Sequence, residues 1–238
     1  MKRYRWLLSS SIVLFIALFL GLLLNQSVTT FSQSATLPRT HTFVIDAGHG
    51  EPDGGAVSCT GVKESDLNLA IAVRLNDLMH LLGLDTVMVR DSEMSVYTEG
   101  NSIAAKKVSD VKHRCSIVNN TQKAVLVSIH QNHFADSRYS GGQVFYAPTN
   151  GSQELAKSVQ KAIKDALNPD SKRQAKKSDG VYLMQHIECP GILIECGFLS
   201  HQEEEYKLNT PEYQKKLAIT IGTALSRYYY FETDSLTQ

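Results

Sequence analysis

Val44-Ile45-Asp46-Ala47-Gly48-His49-Gly50 decides the fold. An apolar strand pattern runs directly into a glycine-rich turn that carries a histidine, which is a common way to present a metal ligand. Two more segments end in the same manner: Val125-Leu126-Val127-Ser128-Ile129-His130, and Ile192-Leu193-Ile194-Glu195 followed by Cys196-Gly197. Three short apolar runs, each finishing in His or Glu, predict a largely parallel sheet. Its ligands and carboxylate would gather at the carboxyl ends of the strands, where open α/β sheets place their sites. The chemistry this implies is metal-assisted hydrolysis.

Outward from these runs the chain alternates strand and helix without internal repeats. Thr42 to Asp46 is the first strand. Leu67, Ile71, Leu75, Leu78 and Leu82 recur at helical spacing, with Ser65 or a neighbour as the cap and Gly83 as the stop. Asp85 to Val89 reads as a strand, Ile103 to Val118 as a helix, Ala124 to Ile129 and Gly142 to Ala147 as strands. Ser152 to Leu167 is helical, with Leu155, Val159, Ile163 and Leu167 on one face, and Asn168-Pro169 stops it. Gly180 to Met184 and Gly191 to Ile194 read as strands, and Tyr213 to Tyr229 as a closing helix. The expected fold is a three-layer α/β domain, a mostly parallel central sheet flanked by helices.

The 238 residues suffice for one such domain over 41–232 plus an N-terminal extension. Lys2, Arg3 and Arg5 precede an apolar stretch from Leu7 to Leu24. At about 18 residues that stretch is long for a signal-peptide core and just long enough to span a bilayer. Residues 1–24 are therefore read as a signal peptide or membrane anchor, with Ser32-Gln33-Ser34 before Ala35 a late cleavage site, and either alternative puts the remainder outside the cytoplasm. Residues 25–40, rich in Ser, Thr and Gln, read as a linker. Basic and acidic residues balance at 24 each. With three of the bases in the leader, the exported part is slightly acidic and offers no basic surface for nucleic acid. Cys59, Cys115, Cys189 and Cys196 could form two disulfides in an exported protein, but Cys115 and Cys196 fall inside apolar patterns, so free thiols are expected.

The site residues can be weighed singly. His49 in its strand–Gly–His–Gly context is balanced between a structural and a ligating role, and Glu64, just before a helix, could be no more than an acid favoured by the helix dipole. In an extended strand His130 and Asn132 share one face, and His133 points to the other as a structural or rim residue. Two imidazoles and a carboxylate nonetheless form a complete zinc set with room for a water, and Glu195 is left as a carboxylate held back from the metal. A Ser or Cys nucleophile is disfavoured: no Gly-x-Ser-x-Gly elbow occurs, and Cys196 should face away from Glu195.

Asp46-Ala47-Gly48-His49-Gly50, Glu64 at the mouth of the next helix, Ser128-Ile129-His130-Gln131-Asn132 and Ile194-Glu195-Cys196-Gly197-Phe198-Leu199-Ser200 closely resemble the motifs of the zinc-dependent N-acetylmuramoyl-L-alanine amidases of the amidase-3 type. Further segments resemble the spore-cortex, germination-specific branch: Pro52-Asp53-Gly54-Gly55-Ala56, Arg114 to Asn119, Ser140 to Tyr146 and Gly180 to Met184. The sequence departs from the family at Glu51, His133 and Cys196. The resemblance implies one Zn2+ held by His49, Glu64 and His130, with Glu195 as the catalytic carboxylate. It also implies hydrolysis of the muramoyl–L-alanine amide of peptidoglycan in the cell envelope, in cortex maturation that ends in muramic-δ-lactam. Asn132 and Gln131 are expected substrate contacts. Tyr182, Met184 and the basic cluster Lys172, Arg173, Lys176 and Lys177 are weaker groove candidates, the cluster reading first as a solvated charge run. Cell-division members insert an autoinhibitory helix between the positions of His130 and Glu195, where this chain has no spare length. Without such a switch or a wall-binding repeat, an exported lipoprotein partner is expected to restrict it. The alternatives are a zinc carboxypeptidase or deacetylase acting on the same polymer, or a noncatalytic wall-binding module.

Overall fold

The computed structural model describes residues 41–232. The leader and linker expected over 1–24 and 25–40 lie outside the described residues. Among the described residues no helix is long and apolar enough to cross a membrane.

The elements follow in the order β1 (Thr42–Ala47), α1 (Glu64–Leu81), β2 (Asp85–Met88), α2 (Ile103–Asn120), β3 (Ala124–Asn132), β4 (Gln143–Tyr146), α3 (Ser152–Leu167), β5 (Lys176–Lys177), α4 (Tyr182–His186), β6 (Gly191–Phe198), α5 (Gln202–Leu208) and α6 (Pro211–Arg227), which runs into a π-helical turn, Tyr228–Glu232. The six strands form one sheet in the order β2-β1-β3-β6-β4-β5. β2, β1, β3 and β6 run parallel, and β4 joins β6 antiparallel. The mixed sheet, mostly parallel and covered by helices, is the expected architecture.

Strand alternation sorts the apolar side chains into two layers. Phe43, Ile45, Val125, Val127, Ile129, Ile192 and Ile194 pack against the apolar stripes of α1, α3 and α6. Val44, Leu126 and Leu193 face Cys115 and Val118 of α2 and Leu183 and Met184 of α4. Side chains such as Ile71, Leu75 and Ile163 are fully buried, each worth roughly 1.5–3 kcal/mol relative to exposure. All four cysteines are free thiols. Burial pushes the Cys115 thiol up to about 11 and raises Cys196 further, so both behave as inert small hydrophobes.

Three expectations are corrected. Gly180 to Met184 is not a strand. Gly180 turns the chain at φ +75°, and the short helix α4 follows, because Leu183 and Met184 are neighbours that are both buried in one layer; a strand would send them to opposite faces. Met184 is thus a core residue rather than a groove residue, and Tyr182 stacks on His186, one helical turn on, with ring centroids 3.8 Å apart. Ser65 does not cap α1. The helix begins at Glu64 after Lys63, with no side-chain cap; instead the carbonyls of Ala56 and Gly54 accept the amides of Glu64 and Ser65 at 2.8 and 3.1 Å. The third correction, at Gln131, belongs to the site.

One polar cluster is buried beneath the carboxyl end of β1. Arg114 of α2 donates to Asp46 at 2.5 Å, to Asp110 at 2.7 Å and to the carbonyls of Ala47 and His49 at 2.9 and 2.5 Å. Ser128 donates to the other oxygen of Asp46 at 2.6 Å. Burial would raise the Asp46 pKa, but Arg114 and Ser128 more than offset it and hold the group below its ordinary value. Arg114→Met should therefore leave Asp46 buried and unpaired, lowering stability by about 3–5 kcal/mol in urea unfolding; a loss under ~1 kcal/mol would show the pair to be dispensable. Since the folded pKa of Asp46 is depressed, its contribution is complete above the unfolded value of about 4 and fades as pH falls through the folded value. Acid should accordingly narrow the gap between wild type and variant.

Candidate active site

The site lies where β1, β3 and β6, three neighbours in the sheet, deliver their carboxyl ends. β1 stops at Ala47, and the chain turns through His49, whose φ is +60°, and Gly50, at +135°. A side chain rarely holds that left-handed conformation unless its surroundings enforce it. Here Arg114 grips the His49 carbonyl, while Arg90 donates to the carbonyls of Ala47 and Gly48 at 2.8 and 3.0 Å. Burial draws the Arg90 pKa down to about 10.

β3 supplies His130, and α1 opens on Glu64. Potential ligand atoms of His49, Glu64 and His130 all lie within 4.8 Å of one another. Glu64 Oε1 is 2.9 Å from His130 Nδ1 and 3.3 Å from His49 Nε2. Burial opposes its charge, yet the two imidazoles hold its pKa well below the usual carboxylate range. Its oxygens also accept from the backbone amides of Ala56 at 3.0 Å and Gln131 at 3.2 Å, and from Asn68 Nδ2 at 3.3 Å. His49 Nδ1 is 2.9 Å from Asp53 Oδ2, which Lys107 approaches at 3.0 Å. Burial works against a charged His49 ring, but Glu64 and Asp53 outweigh it and raise the pKa.

The packing leaves no room for larger residues around the triad. A Cβ at Gly48 would lie 2.2 Å from the His130 ring, and one at Gly55 would lie 2.6 Å from Glu64 Oε2 and 2.8 Å from the His49 ring. Both glycines let backbone approach the three donors. Glu195, the register partner of His130 in β6, is partly open to solvent, but its Oε2 is buried and has no hydrogen-bond partner. Burial, with help from Glu64, pushes its pKa up to about 7 against the opposing pull of His130 and His49. Two imidazoles, one carboxylate and an orphaned acid beside them fit a hard or borderline cation such as zinc with an unfilled coordination position.

The sequence-predicted residues divide as follows. His49, Glu64, His130 and Glu195 come together. Asn132 is half-buried at the end of β3, and His133 is exposed on the rim. Gln131 is corrected: only 3% exposed, it faces away from His130, and its Nε2 donates to Asn68 Oδ1 at 3.2 Å. It braces the Glu64–Asn68 pair from behind instead of meeting a substrate. In the basic cluster Lys172, Lys176 and Lys177 are solvated, and Arg173 alone packs, 5.0 Å from the Phe198 ring. Between His130 and Glu195 the chain forms β4, α3, β5 and α4. α4 buries its apolar side in the core, so no helix there is free to plug the site. Asp53, Asn68, Arg90 and Arg114 hold the site residues and their backbone in place, and the sequence reading leaves them without roles. Only Asn68 carried a local signal, lying one helical turn from Glu64 on the same face.

An α/β sheet presenting this donor set and a desolvated acid at one end could hold a metal ion beside an acid suited to hydrolysis. A family model described as N-acetylmuramoyl-L-alanine amidase matches residues 43–227. The germination-specific N-acetylmuramoyl-L-alanine amidase of Bacillus subtilis is 36% identical over 187 residues, covering 78% of each chain. Among solved structures, the CwlD amidase from Clostridioides difficile in complex with the GerS lipoprotein superposes with TM-score 0.76 at 35% identity, covering 79% of this chain and 98% of that one. The amidase AmiC2 of Nostoc punctiforme gives 0.69 at 26% identity, over 80% and 97% of the two chains. The chain belongs to the N-acetylmuramoyl-L-alanine amidase family. It is a peptidoglycan amidase, and the carboxypeptidase, deacetylase and noncatalytic alternatives give way to that membership.

Proposed function

We propose that this amidase hydrolyses the bond between N-acetylmuramic acid and L-alanine with one zinc ion held by His49, Glu64 and His130, and with Glu195 as the group that moves the proton. The orphaned Oε2 of Glu195, buried beside the triad, carries this reading. Bound zinc would polarise the scissile carbonyl and lower the pKa of a water towards about 7. Glu195 takes the proton of the attacking water and returns it to the departing alanine nitrogen, which leaves poorly as an anion. A carboxylate poised near neutrality suits both halves of that task. Asn132, at the open end of β3, is positioned to contact substrate. Muropeptide profiling of cell wall digested with and without chelator tests bond and metal together. Stem peptides freed at L-alanine only in the absence of chelator are the expected result, and chelator-resistant release would remove the metal from the mechanism.

Asp53 orients the reading further. A carboxylate on His49 Nδ1 fixes the ring and leaves Nε2 for the metal. Asp53→Ala is expected to weaken zinc affinity roughly 10- to 100-fold, with Asp53→Asn intermediate. Competition with a chromogenic chelator reads the effect, and equal affinities for all three proteins would dismiss the brace.

The similarity to a germination-specific enzyme and to an amidase solved in complex with a lipoprotein supports a role in spore-cortex maturation, outside the cytoplasm in the space between the forespore membranes. There the protein would strip stem peptides before muramic-δ-lactam forms. The same similarity supports an exported lipoprotein partner and delivery by the N-terminal segment, as signal or anchor. Spores of a deletion strain should lack muramic-δ-lactam; a normal cortex would sink the assignment.

A further inference from the structure

Residues 133–142 are pinned at both ends to the strands that carry His130 and Glu195. The segment leaves β3 after Asn132, which pairs with Phe198, and enters β4 at Gln143, which pairs with Glu195. Two large rings stand out to solvent on it, Phe134 at 54% exposure and Tyr139 at 48%. They are held in place. Phe134 and Tyr139 meet edge to face with centroids 5.1 Å apart, and Tyr139 lies within 26° of parallel to Phe198 at 6.3 Å. The guanidinium of Arg173 sits over the Phe198 ring and donates to the Ser140 carbonyl at 3.1 Å. The Phe134 amide donates to Ser200 Oγ at 3.1 Å.

Beneath the rings one buried carboxylate joins segment to strand. Glu204, 6% exposed, accepts the amides of Gly141 and Phe198, each at 2.8 Å. Two ordered aromatic rings left in water forgo burial that the fold could otherwise have gained. Exposed apolar clusters of this kind mark contact surfaces.

We propose that Phe134 and Tyr139 form a carbohydrate subsite that seats a pyranose ring of the glycan strand flanking the muramic acid under attack. A pyranose has an apolar C–H face bordered by hydroxyl and acetamido groups. The exposed face of one aromatic ring, held by the edge of its neighbour, covers that C–H face while the polar rim stays hydrated. Phe198, which supports Tyr139, lies three residues past Glu195, but a bulge in β6 makes those residues span only His130 to Asn132 of β3, about 7 Å along the sheet. That separation fits a neighbouring sugar better than the reacting residue. A protein docked at the same place would compete with the polymer the enzyme must admit, so substrate is the favoured occupant. This inference rests on His130 and Glu195 marking the reaction centre.

Calorimetric binding of peptide-free glycan strands to the purified protein tests the subsite without turnover. Phe134→Ala should bind roughly tenfold more weakly than wild type, Phe134→Trp about as well as wild type, and Phe134→Leu weakly, because flatness as well as apolarity is required. Tyr139→Ala should also weaken binding, but it removes a ring stacked on Phe198. The exposed Phe134 series, with thermal melting points matching wild type, therefore decides. Equal affinity of Phe134→Ala and wild type, or no measurable glycan binding by wild type, overturns the proposal and leaves the ring pair to a protein partner. Failure of the reaction-centre reading would show itself separately, as chelator-resistant or absent amide cleavage with glycan binding intact.

Discussion

Glu195→Gln is expected to keep near-normal zinc content while losing at least roughly 100-fold in turnover, about 2.7 kcal/mol of transition-state stabilisation. The amide has the size of the carboxyl group and can enter hydrogen bonds, so the space beside His130 stays filled. It cannot take a proton from water, and it has none to deliver to the alanine nitrogen. Because Glu195 sits beside the triad rather than within it, metal content and rate should separate cleanly. Turnover of the variant at the wild-type rate would reduce Glu195 to a structural role and require another base.

His130→Ala should abolish stoichiometric zinc binding, and activity with it, since two remaining protein ligands leave an incomplete site. Elemental analysis of dialysed protein measures this directly. His49→Ala and Glu64→Ala should do the same, but His130 gives the cleaner reading. Glu64 also receives three hydrogen bonds from Ala56, Gln131 and Asn68, so its removal strands donors in the fold as well as a ligand. The left-handed backbone of His49 would relax in its own variant. Full zinc occupancy in His130→Ala would refute the ligand set.

The legible parts of this fold were those written in local pattern. Strand β1 and its glycine turn, the stripes of α1 and α3, and the apolar runs ending at His130 and Glu195 each declare themselves within a dozen residues. Motif resemblance then assembled the four site residues from three strand ends and a helix start. α5 and β5 carry too short an apolar period to read, and the four-residue run around Leu183 cannot tell strand from buried helix. The arginines were invisible for a different reason. Arg114 lies 68 residues from Asp46 in sequence, and nothing local at either end records that they meet. Gln131 is the instructive case. The parity that puts His130 and Asn132 on one face turns Gln131 inward, so the alternation of β3 held the answer that its place in a motif obscured.

Strand β6 has a consequence for how the enzyme fails. From Ile192 to Glu195 it is paired to β3 on one side and to β4 on the other, so the backbone leading up to Glu195 has no free edge from which to fray. Amides in such a position exchange with solvent only when the sheet as a whole opens. The carboxylate proposed to move the proton therefore shares the lifetime of the domain. On warming, the geometry around it should persist until cooperative unfolding and vanish in the same step, without a softened intermediate in which the acid has drifted while the sheet survives.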